Sequence, residues 1–160
     1  MELKSLDNKE KLYWKQRLKE YCAAIIQLRI ETAKKAMQSA QDSANREEKG
    51  SAGDKHETAR AMSQLEREMF AKQHHEANRE LDMLQRINVD SIQNEITIGS
   101  AILTEKGIYF IATGLGLIHF EQMPVFVISP MAPITAAMKG KKTGEVFKFN
   151  NVSQQITDTF

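Results

Sequence analysis

The chain is short of cysteine, of proline in its first half, of charge of one sign, and of long apolar runs. Each shortage excludes something. Its one cysteine, Cys22, cannot form a disulfide within the chain, which suits a reducing compartment. Residues 1–90 contain no proline and only two glycines, Gly50 and Gly53. The formal net charge of +1 excludes a strongly basic nucleic-acid tail as the main device and leaves room for local patches. The most apolar run, "YFIATGLGLIHF" at 109–120, is too short and too interrupted by glycine to span a bilayer. Charged residues, not an apolar signal core, follow Met1. Together these absences predict a soluble, cytoplasmic protein that uses no membrane.

What is present changes character near Asp90. Residues 1–90 hold 33 of the 43 charged residues, whereas all three prolines, most glycines and most β-branched residues lie in 91–160. The expected organisation is therefore a helical hairpin over 1–90 and a separate domain over 91–160. On the first helix Leu12, Leu18, Tyr21, Ile25, Leu28 and Thr32 follow steps of three and four. Ala33, Ala36, Met37, Ala40 and Ala44 continue the stripe in small residues. On the second helix the stripe is Met62, Leu65, Met69, Ala77, Leu81, Leu84 and Ile87. Such narrow stripes suit an antiparallel two-helix coiled coil with most of its surface in water. A compact bundle is the alternative, but the rest of the chain offers few partner helices.

The second half reads as a small sheet. "TIGSAILT", "GIYFIAT", "LGLIHF" and "PVFVIS" are short, β-branched or aromatic, and bounded by turn residues. "APITAAMKG" reads as a short helix with Pro133 in its first turn and Gly140 at its end. "GEVFKF" and "VSQQITDTF" add two strands. The fold class expected is α+β.

The joint between the two helices, "KGSAGDKHETARAM" at 49–62, carries Asp54 and Glu57. Two readings fit this Asp-x-x-Glu spacing. In one it is a capping box, with Asp54 as the cap and Glu57 reaching back to an orphan N–H. In the other, two ionised carboxylates on one helix face offer oxygens to a hard cation such as Mg²⁺. Two side chains are too few for a tight site, so a partner must supply the remaining ligands. A helix of about 35 residues is about 50 Å long, so such a tip is expected to lie far from the second domain.

The chain resembles the Gre transcript-cleavage factors of bacteria. The resemblance rests on "GDKHETA", where Gly53, Asp54, Glu57 and Ala59 match the family's tip, and on "GSAILTEKGIYFIATG" and "VISPMAPITAAMKGKKTGEVFKF" in the second half. It covers nearly the whole chain in order and length. It implies a coiled-coil hairpin followed by an FKBP-like domain, and a monomeric partner of bacterial RNA polymerase that is not itself an enzyme. The hairpin would enter the polymerase's secondary channel, where Asp54 and Glu57 would help hold a catalytic Mg²⁺. The polymerase would then hydrolyse the 3′ segment of a backtracked transcript, so the nascent RNA end is engaged only indirectly. The second domain would dock on the channel rim, through Ser129, Pro130, Lys141 and Lys142. The family usually adds a further Glu and a Tyr after the acidic pair; here those positions are Arg60 and Ala61. A polymerase-binding regulator that occupies the channel without promoting cleavage is therefore the alternative.

Of the basic residues near the joint, Lys55 and Arg60 are the best candidates to contact RNA or the channel at the tip. Lys34, Lys35 and Arg29 are diluted by nearby acids and read as a solvated face. His74 and His75 are adjacent, so on a helix they diverge and cannot grip one ion. Cys22 sits in an apolar stripe and reads as packing. A prolyl isomerase would need an aromatic-floored pocket, yet the one tryptophan, Trp14, lies in the helical half. A plain coiled-coil assembly module would explain the stripes but not the tip acids.

Overall fold

The computed structural model describes residues 3–48 and 53–160, without the side chains of residues 47, 48 and 54. A 3-10 turn, Leu3–Ser5, precedes two long helices, α1 (Asn8–Glu48) and α2 (Asp54–Arg86), which form a hairpin. A small sheet domain follows. Among the described residues it comprises β1 (Ala101–Thr104), β2 (Gly107–Ile111), β3 (Gly116–Phe120), β4 (Met123–Ile128), α3 (Pro133–Met138), β5 (Val146–Phe149) and β6 (Val152–Thr159). The α+β class expected is the one observed. No helix of the described residues is long and apolar enough to cross a membrane.

Helix α1 begins with a capping box that the sequence reading passed over. The Lys11 N–H donates to the Asp7 carbonyl at 2.9 Å, which makes Asp7 the cap. The Glu10 N–H donates to Asp7 Oδ1 at 2.8 Å. The Asp7 N–H donates back to Glu10 Oε2 at 2.9 Å. Two orphan donors are thereby satisfied.

The seam on α1 lies beside the expected one. Leu18, Cys22, Ile26, Ile30, Ala33 and Ala40 are buried, while Tyr21 is 41% and Leu28 65% exposed. Between 21 and 30 only Gln27 and Arg29 are polar, so periodicity there fits either of two adjacent seams and packing decides. On α2, Ala77, Leu84 and the following Ile87 are buried as expected, but Met62, Leu65 and Met69 are each about half exposed or more.

The sheet has the order β3-β4-β2-β1-β6-β5. Only β2 and β4 pair in parallel, with Ile108 opposite Val125 and Ile111 opposite Ile128; the other neighbours are antiparallel. Strand β4 thus slots between β3 and β2, the strands that precede it in the chain. Ile102, Tyr109, Ile111, Phe147 and Ile156 form a core cluster with Met138 of α3 and Ile96. Phe110, Val125 and Val127, one step out of phase, are also fully buried, so the middle of the sheet buries side chains on both faces, while Leu117 and Phe126 toward the β3 edge stay exposed. The two-residue turns Glu121–Gln122 and Asn150–Asn151 have positive φ at both positions, the I′ geometry that matches strand twist.

The chain divides into two compact units, Met1–Ala23 with Met83–Phe160, and Ala24–Asp82. The start of α1 belongs with the sheet because Trp14 packs edge-on against Phe120 at 5.6 Å and Phe160 at 6.1 Å. Lys11 adds an ion pair to Asp158 at 2.7 Å, and Arg17 pairs with Glu121 in the β3–β4 turn. Two further lysines, one helical turn apart, secure the chain leaving α2. Lys19 Nζ donates to the carbonyls of Gln85 at 3.0 Å and Ile87 at 2.6 Å, acceptors that the helix end leaves without intrahelical donors. Lys15 Nζ donates to the Ser91 carbonyl at 2.8 Å.

Candidate functional site

The site begins with how α2 starts. The N–H groups of His56 and Glu57 both donate to the Gly53 carbonyl, at 3.0 and 3.2 Å. The bond from Glu57 is the first of the i to i−4 ladder, so Gly53 is the cap, Asp54 the first helical residue and Glu57 the fourth. A capping box needs its acids at the cap and the third position. The pair is one step out of register for that role, unlike Asp7 and Glu10. The capping-box reading of Asp54 is therefore corrected: glycine, itself an acceptable cap, takes the position. Both acids remain in the first turn, where the helix dipole favours negative charge.

Glu57 is exposed, as are Lys55 and Arg60. The Asp54 side chain lies outside the described residues, as do residues 49–52 of the joint. Arg60 and Arg67 border a small polar recess with Gln41 and Asn45, and Gln41 Nε2 donates to Asn45 Oδ1 at 3.0 Å. Among the described residues no three His, Cys, Asp or Glu side chains gather into a set that could hold a metal ion.

Four residues in the sheet domain were expected to dock. Ser129 Oγ accepts the Met131 N–H at 3.1 Å, and the Ser129 carbonyl accepts the Thr135 hydroxyl at 2.7 Å. Ser129 and the half-buried Pro130 thus shape the turn into α3. The Lys141 carbonyl accepts the Ile96 N–H at 2.8 Å and its N–H donates to Met138 at 3.1 Å, leaving its side chain half-buried. The exposed Lys142 is held through its N–H, which donates to Glu145 Oε2 at 2.6 Å. Both ends of the stretch are therefore fixed by bonds to main-chain groups, and those of Lys141 and Lys142 are made by their backbone atoms.

The packing reading of Cys22 and the solvated-face reading of Lys34 and Lys35 agree with their surroundings. Cys22 is buried and its thiol is pushed up to about 12 by that burial, which makes it unreactive. The Asn78 amide donates to the His74 carbonyl at 2.8 Å, and His75 is exposed, so the two histidines have different surroundings. Lys34 and Lys35 are exposed.

Sequence reasoning missed Lys15. It is fully buried, and burial lowers its ammonium to about 8 against a partial opposing pull from Asp90. The available signal was its place beside Trp14 and one turn before Lys19. Compared with protein-family models, curated proteins and solved structures, the chain matches none.

Proposed function

We propose that this chain is a Gre-like factor that binds bacterial RNA polymerase and stimulates cleavage of backtracked transcripts. The hairpin tip enters the secondary channel, and Asp54 and Glu57 lend carboxylate oxygens to a Mg²⁺ ion in the polymerase's own site. When bound there, that ion would activate water and stabilise charge on the transferring phosphate. The protein's own task is to bring two negative charges to one helix turn and hold them there. The second domain docks outside the channel through the Ser129–Lys142 stretch.

One observation carries this reading. Gly53 serves as the cap of α2, so neither acid is needed to begin the helix. The turn geometry keeps both on neighbouring first-turn positions, with Glu57 exposed. A structural duty that would otherwise explain the pair is already met by another residue.

Arg60 favours a second reading. It is exposed and follows Glu57 by three residues, which on a helix makes the two neighbours. It stands where the family resembled carries a further Glu, so the tip has one carboxylate fewer to offer a divalent ion. A factor that occupies the channel without stimulating cleavage would tolerate it. Stalled elongation complexes, incubated with and without the full chain, separate the two readings. Shortened transcripts with a released 3′ fragment support cleavage, while bound protein with uncut transcripts supports the regulator. Absence of polymerase binding overturns both.

A further inference from the structure

The hairpin carries two apolar seams, and only one joins its helices. The other takes in the exposed members of the stripe that periodicity points to, Leu28, Met62, Leu65 and Met69. Within the unit Ala24–Asp82 it opens into a groove of about 440 Å³ between α1 and α2. Ala33 and Ala77, both buried, form a low floor, and Leu28 and Phe70 stand along it. Leu28 is 65% exposed. Met69, Leu65 and Met62 continue the stripe along α2, at steps of three and four back from Gln73, which lines the groove. Half-exposed methionine and leucine in a row present apolar surface that a partner can cover. Methionine adapts to varied partners.

The groove's shape points to a helix as occupant. A low floor between two antiparallel helices receives a third helix along its length, which completes a bundle by ordinary helix packing. The charges select which helix. Three charged residues line the groove: Arg29, Glu76 and Glu80. Arg29 is engaged with Glu80 at 3.9 Å, while Glu76 makes no ion pair among the described residues. The residues that line the groove therefore carry a net charge of −1 beside an apolar floor. We propose that this face binds an amphipathic helix of a partner protein that presents apolar residues at helical spacing and a Lys or Arg toward Glu76. This goes beyond the reading of the tip and does not depend on it.

Two labelled peptides test it, each of roughly 16 residues and about 24 Å long as a helix. Both carry leucine at i, i+3, i+4 and i+7; one has lysine at the remaining positions, the other glutamate. Fluorescence anisotropy with the full chain at about 0.15 M salt, where long-range attraction is screened, should show saturable binding of the lysine peptide, about tenfold tighter than its twin. Glu76→Lys should invert that preference, and Leu28→Ser should weaken both peptides while circular dichroism stays unchanged; both positions are exposed, so neither change threatens folding. Equal binding of the twins, no saturable binding, or a preference that survives Glu76→Lys overturns the proposal. Sedimentation showing a dimer that Leu28→Ser dissolves also overturns it, because the occupant is then a second copy of this chain.

Discussion

Replacing Lys15 with methionine should change how stability depends on pH, and the size of the change follows from burial. The Lys15 ammonium is fully enclosed, with one carbonyl, that of Ser91, accepting from it at 2.8 Å. Burial lowers it to about 8, and Asp90 only partly offsets that. In the unfolded chain an ordinary lysine titrates near 10.4. Below about pH 8 the proton is held in both states, so Lys15 adds no pH dependence. Between about 8 and 10.4 the unfolded chain still holds a proton that the folded one has released. The unfolded state then binds more protons, so stability rises with pH. The full rise is about 3 kcal/mol, at 1.36 kcal/mol per unit. Lys15→Met cannot titrate and lacks it. Methionine also forfeits the bond to Ser91 but no longer buries a charge, and these offset each other near neutrality. Urea unfolding of both proteins, followed through Trp14, reads the unit that contains Lys15. Comparing the two proteins at each pH cancels the other titrating groups. The native protein should gain about 3 kcal/mol on the variant between pH 7 and pH 10.5. An equal difference at both pH values, or a gain by the variant, would refute the reasoning.

Three further outcomes follow from the geometry. Asp7→Ala should cost about 1 kcal/mol in urea unfolding, because it removes a true cap, whereas Asp54→Ala should cost less than about 0.5 kcal/mol; equal costs would contradict the register assigned at Gly53. Gln122→Gly should stabilise the chain by about 1 kcal/mol, since φ of 65° strains any residue with a Cβ; a lower melting temperature would show that the Gln122 side chain contributes more than the strain it causes. Reversing charge at both Lys141 and Lys142 should weaken polymerase binding about tenfold with the melting temperature kept, because both residues are held through their main-chain atoms; unchanged binding would remove these lysines from the proposed docking surface.

Much of the fold was legible because its signals are local. Proline in the first turn of α3 and Gly140 after it, at φ 80°, are read from sequence with a mechanism attached. So are strands bounded by Gly and charged turns. The α1 seam was not legible, since residues 21–30 are apolar on adjacent faces and only the partner helix chooses between them. Trp14 misled for a related reason: its place in a helix hid that it packs on a sheet more than a hundred residues later in the chain. At the tip, spacing identified the acids but not their register. Asp-x-x-Glu occurs at 7–10 and at 54–57; at 7–10 the aspartate caps the helix, while at 54–57 the preceding glycine does. Only the pattern of N–H donors distinguishes them.

The central proposal is that Asp54 and Glu57 serve a metal ion supplied with a partner and are not needed as helix caps. Asp54→Asn and Glu57→Gln keep a hydrogen-bonding oxygen at each position and remove the charge that attracts Mg²⁺. The decisive measurement is transcript cleavage by stalled RNA polymerase, with each variant at occupancy matched to the native chain and its thermal unfolding recorded alongside. The account predicts that each variant loses most of the stimulated cleavage while binding and melting temperature are kept. Cleavage retained in both variants at matched occupancy would contradict it.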